Sequence, residues 1–149
     1  NFLSKKTKNL IKNGIKLKII GNKKLFSNNL KKQLKISELN TAKNKKLQIN
    51  LALNYGSKSE IINAAKLICK NRKRFTEKNI ENYLYTKKIP CPDILIRTGN
   101  TNRLSNFLLW QLAYTEIFFE KKLWPDFNAQ DYNKVLNKFR SLKRNFGNI

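Results

Sequence analysis

Two arginines and a serine lie close together in the sequence and could bind a phosphorylated ligand. Arg97 and Arg103 are six positions apart, and Ser105 follows two residues later. A guanidinium group donates two parallel hydrogen bonds to phosphate oxygens, so a pair of them suits a diphosphate better than a single carboxylate. Lysines outnumber arginines 26 to 6, and a pair of arginines in one short stretch therefore favours this interpretation. The alternative is two surface residues that are neighbours by chance.

Glu116 is the second residue that could do chemistry. It stands between the apolar runs FLLWQLAYT and IFF. A carboxylate flanked by apolar segments is expected to be paired or bound to a metal if it is buried. Beside a diphosphate the natural ion is Mg²⁺, which binds a few carboxylates together with phosphate oxygens. The alternative is an edge position, at which Glu116 meets water or a lysine.

The elements around these residues predict how they are positioned. The run DILIRTG, residues 93–99, is apolar on both faces, which is typical of a parallel strand covered by helices. Arg97 falls at the carboxyl end of that strand, where ligands bind in open parallel sheets. Ser105 is predicted to cap a following helix, whose free N–H groups would add an anion site.

The rest of the chain alternates between helical and strand patterns. This alternation predicts a single α/β domain over residues 1–149, with a mostly parallel sheet flanked by helices. The other strands are predicted at 15–20, 47–55 and 116–119, and the other helices at 1–13, from Ser27 to 44, from Ser57 or Ser59, at 76–86 and at 128–145.

Several side chains have predicted structural roles. The third helix is expected to pack inward through Ile61, Ile62, Ala65 and Ile68, and Asp126 is expected to cap the last helix. Core or dimer-interface positions are predicted for four aromatic residues, Phe107, Trp110, Tyr114 and Trp124.

Composition narrows the functional classes. The formal charge of +23 favours anionic partners, but the lysine-rich, asparagine-rich composition is also what AT-rich coding produces. No nucleic-acid-binding motif occurs, so a nucleic-acid module is not expected. The absence of histidine argues against zinc sites and histidine bases, and Cys69 and Cys91 are spaced for neither metal nor redox pairing, which predicts a reducing cytosol. No apolar run reaches membrane-spanning length, and a chain that starts at Asn1 without any methionine is predicted to be a fragment.

Three stretches resemble the cis-prenyltransferase family, the isoprenyl transferases of the undecaprenyl diphosphate synthase type. The longest is DILIRTGNTNRLSNFLLWQLAYTEIFFEKKLWPDF, residues 93–127. It matches the family's Asp-Leu-Leu-Ile-Arg-Thr strand, its Arg-Leu-Ser-Asn-Phe-Leu-Leu-Trp-Gln segment, its Tyr-x-Glu and its Trp-Pro-Asp-Phe. NYGSKSEI at 54–61 and IKLKIIGN at 15–22 resemble two further family segments.

The resemblance implies a transferase that condenses isopentenyl diphosphate units onto farnesyl diphosphate, giving a long cis-polyprenyl diphosphate for the cell-wall lipid carrier. By resemblance, Arg97, Arg103, Leu104 and Ser105 bind the isopentenyl diphosphate head group, and Glu116 binds Mg²⁺. The resemblance also implies that Asn54 faces the site from its strand end. The same resemblance implies a homodimer in the cytoplasm, with contact to the inner face of the membrane through its product.

The chain departs from the family pattern in ways that bear on activity. The family's Asp-Gly-Asn-Gly-Arg phosphate loop, with its catalytic aspartate, and its Glu-Asn-Trp segment are absent. About the first third of the family's length is therefore missing, and the fragment alone is expected to be inactive. The alternative is a non-catalytic or degenerate subunit that supports a partner.

Four single residues also differ from those the family usually has. Ser57 replaces a glycine, Lys58 an arginine, Thr101 a glutamate and Asn145 an arginine.

Overall fold

The computed structural model describes the backbone of residues 2–144 and the side chains of residues 5–144. Helices and strands alternate along most of this length. Five helices and four strands follow one another in the order α1 (Phe2–Lys12), β1 (Ile15–Ile20), α2 (Asn28–Thr41), β2 (Leu47–Ala52), α3 (Ser57–Lys70), α4 (Glu77–Tyr83), β3 (Ile94–Arg97), β4 (Glu116–Phe119) and α5 (Ala129–Arg140).

The four strands form two parallel pairs in the described part of the chain. β1 pairs with β2 from Ile15↔Leu47 onward, and β3 pairs with β4 from Ile94↔Glu116 onward. The predicted parallel strands are confirmed, although they do not join into one continuous sheet among these residues. Each pair has its strand ends in register, so side chains that follow β3 and β4 meet at a common edge.

Helix α2 covers β1 and closes its outer edge. Ser27 caps α2 as predicted, because its hydroxyl accepts the N–H of Leu30. On the edge of β1 that faces away from β2, the N–H groups of Leu17 and Ile19 donate to Thr41 Oγ1 at 3.0 Å and to a Glu38 carboxylate oxygen at 2.7 Å. These side chains satisfy backbone groups that an edge strand otherwise leaves open for pairing.

Helix α3 begins without a side-chain cap of its own. Its N-cap is Gly56 instead of the predicted Ser57 or Ser59, and Ser57 is already the first helical residue. Its inward face is also rotated from the prediction. Ala64 and Ile68 are fully buried, whereas Ile62 is 56% exposed. The sequence predicted a broad apolar face, but the buried stripe also contains polar residues.

The carboxyl-terminal helix has a complete capping box. Asn128 accepts the N–H groups of Gln130 and Asp131, and Asp131 accepts the N–H of Asn128. Asp126 lies upstream in a single 3-10 turn, Trp124–Asp126, so its predicted capping role is wrong. α5 ends at Arg140, earlier than the predicted residue 145, and the Asn145 departure lies outside the described residues.

Two of the four aromatic residues predicted to lie in the core or at a dimer interface are strongly exposed. Trp124 is 73% and Tyr114 66% exposed, while Phe107 and Trp110 are half-buried. The two cysteines are both free. Within the described residues, no helix combines the length and apolar composition needed to cross a bilayer.

Candidate functional site

Arg97 lies at the carboxyl end of β3, as the sequence predicted, and its guanidinium group is held on two sides. Its Nε donates to Thr101 Oγ1 at 3.0 Å, and its Nη2 lies 3.5 Å from Ser105 Oγ. Its backbone carbonyl accepts the N–H of Glu120 at 2.7 Å, which extends the pairing with β4. The side chain is half-buried, so the guanidinium is fixed in place with donors left over.

Arg103 and Leu104 lie in the loop that joins Arg97 to Ser105. The loop leaves β3 at Gly99, which has a φ of +94° and whose N–H donates to Lys122 O at 2.8 Å. The Arg103 side chain is exposed and has no hydrogen bond or ion pair among the described residues. Leu104 is half-buried. Therefore the structure brings Arg97 and Ser105 together and leaves Arg103 able to accept a ligand from solvent.

Residues 105–114 form consecutive turns, and the helix predicted from Ser105 is not present. Three residues in this segment have left-handed backbones, with φ of 51° at Ser105, 60° at Asn106 and 46° at Leu108. For residues other than Gly, Asn and Asp this conformation costs about 1–2 kcal/mol each. Ser105 consequently offers a hydroxyl but no helix terminus, and the predicted anion site at a helix start is wrong at this position.

The first turn of α3 is hydrogen-bonded to this loop. Ser57 is fully buried, and its hydroxyl accepts the N–H of Leu109 at 3.0 Å. Its own N–H donates to the carbonyl of Asn106 at 2.8 Å, and Lys58 N–H donates to Asn106 Oδ1 at 2.9 Å. The serine that replaces the family's glycine is thus part of the contact between α3 and the arginine loop.

Glu60 is a buried carboxylate that the sequence did not indicate as a candidate site residue. It is 1% exposed, and three donors surround it. Tyr85 N–H donates to Oε1 at 2.6 Å, while the Tyr55 hydroxyl and, at 3.2 Å, the Gln111 amide donate to Oε2. A carboxylate satisfied in this way is stable in a buried position and rigidly orients its partners. The oxygen of the Gln111 amide, Oε1, is buried and has no partner among the described residues.

The pKa values of two tyrosines beside Glu60 are raised. Burial, followed by the hydrogen bond to Glu60, raises the pKa of Tyr55 well above its ordinary value of 10.0. Burial and the Glu60 charge also raise the pKa of Tyr85. Both phenols therefore stay protonated at neutral pH, which keeps the Tyr55 hydroxyl a donor to the carboxylate.

An open cavity of about 540 Å³ adjoins this network at the carboxyl ends of β1 and β2. Asn54 and Gly56 line it together with Lys24 and Lys66. Asn54 has a left-handed backbone, and its amide donates to Asn22 O at 3.0 Å. The polar lining and the two lysines suit an anionic ligand.

Glu116 lies at the opposite end of the strand pair from Arg97. It is the first residue of β4 and pairs with Ile94, whereas Arg97 pairs with Phe119. Three residues along a strand separate the two by about 10 Å. The predicted magnesium ligand and the predicted diphosphate ligands are therefore not neighbours within the described chain.

A guanidinium group already neutralises the Glu116 end. Arg144 Nη1 contacts Asp93 Oδ1 at 2.7 Å, its Nη2 donates to Tyr114 O at 3.1 Å, and its Nε lies 3.9 Å from Glu116 Oε1. The same side chain lies over the Phe139 ring, 5.2 Å from its centroid. The C-terminal end of the described chain is thereby fixed against the amino ends of β3 and β4.

The described residues do not by themselves fit a magnesium ion. No group of three or more Cys, Asp or Glu side chains is close enough to hold a metal within the described ranges. Glu116 offers one carboxylate, and Arg144 is the cation beside it. Mg²⁺ needs several oxygen ligands, so Glu116 remains only a predicted ligand.

Comparison with known proteins agrees with this architecture. Residues 1–147 match the prenyltransferase family model described as "Putative undecaprenyl diphosphate synthase". An isoprenyl transferase of Rickettsia bellii is 44% identical over 147 residues, which are 98% of this chain and 65% of that protein. The farnesyl-diphosphate-specific ditrans,polycis-undecaprenyl-diphosphate synthase of Buchnera aphidicola is 42% identical over 155 residues. That alignment covers 99% of this chain and 61% of the Buchnera protein, so the chain spans less than two thirds of either relative.

Solved structures superpose on almost the whole chain. A "probable undecaprenyl diphosphate synthase" from Campylobacter jejuni gives a TM-score of 0.87 at 33% identity, covering 97% of this chain and 69% of that one. Lavandulyl diphosphate synthase from Lavandula x intermedia, in complex with dimethylallyl diphosphate, gives 0.90 at 34% identity, covering 98% and 66%. A family model matched over nearly every residue and relatives this similar establish that the chain belongs to the undecaprenyl diphosphate synthase family of prenyltransferases.

Proposed function

We propose that this chain carries the isopentenyl-diphosphate-binding part of a cis-prenyltransferase. The observation that carries the proposal is the arrangement of Arg97 at the end of a parallel strand. Its guanidinium is fixed by Thr101 and Ser105, while the neighbouring Arg103 has no partner among the described residues. A fixed and a free guanidinium in one loop can together bind the four or more charged oxygens of a diphosphate.

The proposed reaction joins isopentenyl diphosphate to an allylic diphosphate. The bond between the allylic carbon and its diphosphate breaks, a carbon–carbon bond to the isopentenyl unit forms, and a proton is lost. Arg97 and Arg103 hold the isopentenyl head group, so that the reacting carbon is presented in one orientation. Ser105 adds a hydroxyl donor, and half-buried Leu104 keeps the loop on the protein.

Farnesyl diphosphate is the allylic substrate that we propose for the complete enzyme. The Buchnera relative is specific for farnesyl diphosphate, and the lavender structure was solved with dimethylallyl diphosphate. Both are allylic diphosphates, which supports the substrate class. The proposed product is a long cis-polyprenyl diphosphate that serves as the cell-wall lipid carrier.

We propose a magnesium requirement for the complete enzyme. Glu116 would supply one carboxylate, and the remaining ligands would come from outside the described residues. A homodimer in the cytoplasm, touching the inner face of the membrane through its product, completes the proposal.

A non-catalytic subunit is the second candidate. It is favoured by the pairing of Glu116 with Arg144, which leaves the described chain without a metal site. A radiolabelled assay of the complete protein with farnesyl diphosphate, isopentenyl diphosphate and Mg²⁺ separates the two candidates, since the enzyme forms product and the non-catalytic subunit does not. Product formed by the 149-residue chain alone would contradict both this candidate and our expectation that the fragment is inactive.

Replacing Arg103 by Ala tests the proposed binding site. Loss of one charge-assisted contact at an exposed position should weaken isopentenyl diphosphate binding by about 1.5 kcal/mol, or roughly tenfold in Kd. Isothermal titration calorimetry measures this at fixed ionic strength. Arg74→Ala, at an exposed position far along the sequence, is the control for the loss of one positive charge from a +23 chain. Equal affinities for the two variants would contradict the assignment.

A further inference from the structure

We propose that Asn106 is a positioning residue: it caps helix α3 from fifty residues away and thereby fixes the loop that carries Arg103 and Ser105. This proposal rests on the function proposed above, because it concerns the same diphosphate loop. Asn106 is not itself assigned a contact with substrate. Its role would be to hold Ser105, its immediate neighbour, at the distance from Arg97 that the structure has.

Helix α3 begins without a capping side chain from its own N-cap residue. The first N–H groups of a helix have no partner within the helix and are normally satisfied by the side chain of the N-cap residue. The N-cap here is Gly56, which has no side chain to offer. Asn106 replaces it, because its carbonyl accepts Ser57 N–H at 2.8 Å and its Oδ1 accepts Lys58 N–H at 2.9 Å.

Gly56 has no side chain, and the Asn106 amide occupies the space beside it. A Cβ at position 56 would lie 2.9 Å from the Asn106 Nδ2 atom, closer than a carbon and a nitrogen can approach without a shift. The φ of Gly56 is −151°, which any residue can adopt. The glycine therefore leaves room for the Asn106 amide, and an amide displaced by a Cβ would lengthen its bond to Lys58 N–H.

The loop around Asn106 contains three residues with left-handed backbones. Asn106 has a φ of 60°, in the left-handed region that asparagine tolerates better than most residues. Ser105 and Leu108 share this region without that tolerance, so an external restraint must maintain their backbones. Three hydrogen bonds supply it, two to Asn106 and one from Leu109 N–H to the Ser57 hydroxyl.

Without these bonds the sequence of the segment favours a different structure. The stretch from Ser105 to Gln111 has the pattern of a helix start, and a helix there would change the backbone of Ser105. Ser105 Oγ would then leave its place 3.5 Å from Arg97 Nη2. A contact on α3 would thus determine the geometry of the diphosphate site.

The test combines three variants of the full chain with two measurements. Asn106→Ala removes the Oδ1 acceptor, Gly56→Ala fills the space without altering the loop sequence, and the third variant carries both substitutions. Asn133→Ala, at an exposed position on α5, is the matched control. Hydrogen exchange followed by NMR reports on the Lys58 and Leu109 amides, and calorimetry gives the Kd for isopentenyl diphosphate.

We expect Asn106→Ala and Gly56→Ala each to speed exchange of the Lys58 amide at least tenfold and to weaken isopentenyl diphosphate binding about tenfold. In the double variant the Gly56→Ala effect should disappear, because both changes break the same contact. Asn133→Ala should match the wild type in both measurements. A simple loss of stability would not produce this non-additivity.

Unchanged protection of Lys58 in Asn106→Ala would overturn the cap. Faster exchange with unchanged affinity, while Arg103→Ala still weakens binding, would overturn the positioning role and leave the proposed function intact. A wild-type chain that binds isopentenyl diphosphate no better than Arg103→Ala would overturn the proposed function and the positioning role with it. In that case the hydrogen-exchange rate of the Lys58 amide would still show whether Asn106 caps α3.

Discussion

The two ends of the β3–β4 strand pair each contain an arginine, and the groups that contact the two arginines differ in charge. At the carboxyl end, Arg97 is held by two neutral hydroxyl oxygens, so its charge is not cancelled. At the amino end, Arg144 faces the carboxylates of Asp93 and Glu116 and is neutralised by them. Both ends contain a half-buried arginine, but only the one at the carboxyl end retains attraction for an anion.

This difference would allow a chain of charge +23 to have the specific anion site that we propose at Arg97. Most of its cations are exposed lysines, which attract any anion weakly and are screened by salt. A guanidinium fixed in geometry by neutral partners recognises a diphosphate through its fork of donors. The neutralised arginine at the other end instead fastens the chain after α5 to the strands.

The largest predicted effect comes from the buried support beneath the carboxyl end. Replacing Glu60 by Ala would leave the Tyr55 hydroxyl and the Tyr85 N–H without an acceptor, and the Gln111 amide would keep only the Thr86 hydroxyl. The free energy of unfolding should fall by about 3–5 kcal/mol, because each buried donor that loses its acceptor costs about 1–3 kcal/mol. Urea unfolding followed by circular dichroism measures the loss.

Glu81→Ala is the matched control for that experiment, since Glu81 is exposed on α4 and should change stability by less than about 0.5 kcal/mol. Glu60→Gln should lie between the two, because an amide keeps one acceptor and puts a donor where the second acceptor was. Equal stability of Glu60→Ala and Glu81→Ala would mean that the buried network does not support the fold.

The second effect in size concerns binding at the carboxyl end. Arg97→Ala should weaken isopentenyl diphosphate binding by about 1.5–3 kcal/mol, or roughly ten- to a hundredfold in Kd. Arg97→Lys keeps the charge but cannot contact Thr101, Ser105 and a ligand at once, so it should recover only part of the affinity. Calorimetry on the three proteins gives the comparison. Full recovery in Arg97→Lys would show that charge alone matters at this end.

The sequence predicted the elements of the fold better than the loop that makes the site. The strands at 15–20 and 116–119 have the predicted limits, and Ser27 caps its helix as predicted, because alternation and capping are local signals. The helix predicted from Ser105 failed for a non-local reason. Asn106 bonds to the start of α3, fifty residues away in the sequence, and local propensity contains no record of that contact.

Sequence context indicated one carboxylate, Glu116, as a candidate site residue and gave no such indication for Glu60. Glu116 was singled out because apolar runs flank it, yet its side chain is 38% exposed and beside an arginine. Glu60 is buried but lies in the polar stretch NYGSKSEI, a sequence context that is typical of exposed side chains. A signal was nevertheless present, because Glu60 and Ser57 are one helical turn apart and share the buried face.

A smaller effect is expected at the amino end of the strand pair. Arg144→Ala removes contacts to Asp93 and Glu116, and the Asp93 side chain is 69% exposed. The free energy of unfolding should fall by only about 1 kcal/mol, and less in 1 M salt than in 50 mM salt. Isopentenyl diphosphate affinity should not change, since Arg97 lies about 10 Å away along the strands. A tenfold loss of affinity in this variant would mean that the two ends form one site.

The smallest predicted effect is a change of the unfolding free energy with pH, caused by Tyr55 in the buried network near the carboxyl end. The pKa of Tyr55 is raised in the folded chain, chiefly by burial and then by its bond to Glu60. The folded state therefore holds this proton more tightly than the unfolded state, whose tyrosine pKa is near 10.0. The stabilisation is fully present below pH 10 and is lost as the pH rises above it.

Tyr55→Phe isolates that contribution from the titration of the lysines, which both proteins share. The unfolding free energy of the wild type should fall more steeply than that of Tyr55→Phe between pH 10 and pH 11, when both are measured by urea unfolding. Tyr132→Phe, at a half-exposed phenol on α5, should retain the steeper wild-type slope. Parallel slopes for wild type and Tyr55→Phe would show that the Tyr55–Glu60 contact does not discriminate between the two protonation states. The carboxyl end would then owe its geometry to the contacts between Asn106 and α3 instead of to this hydrogen bond.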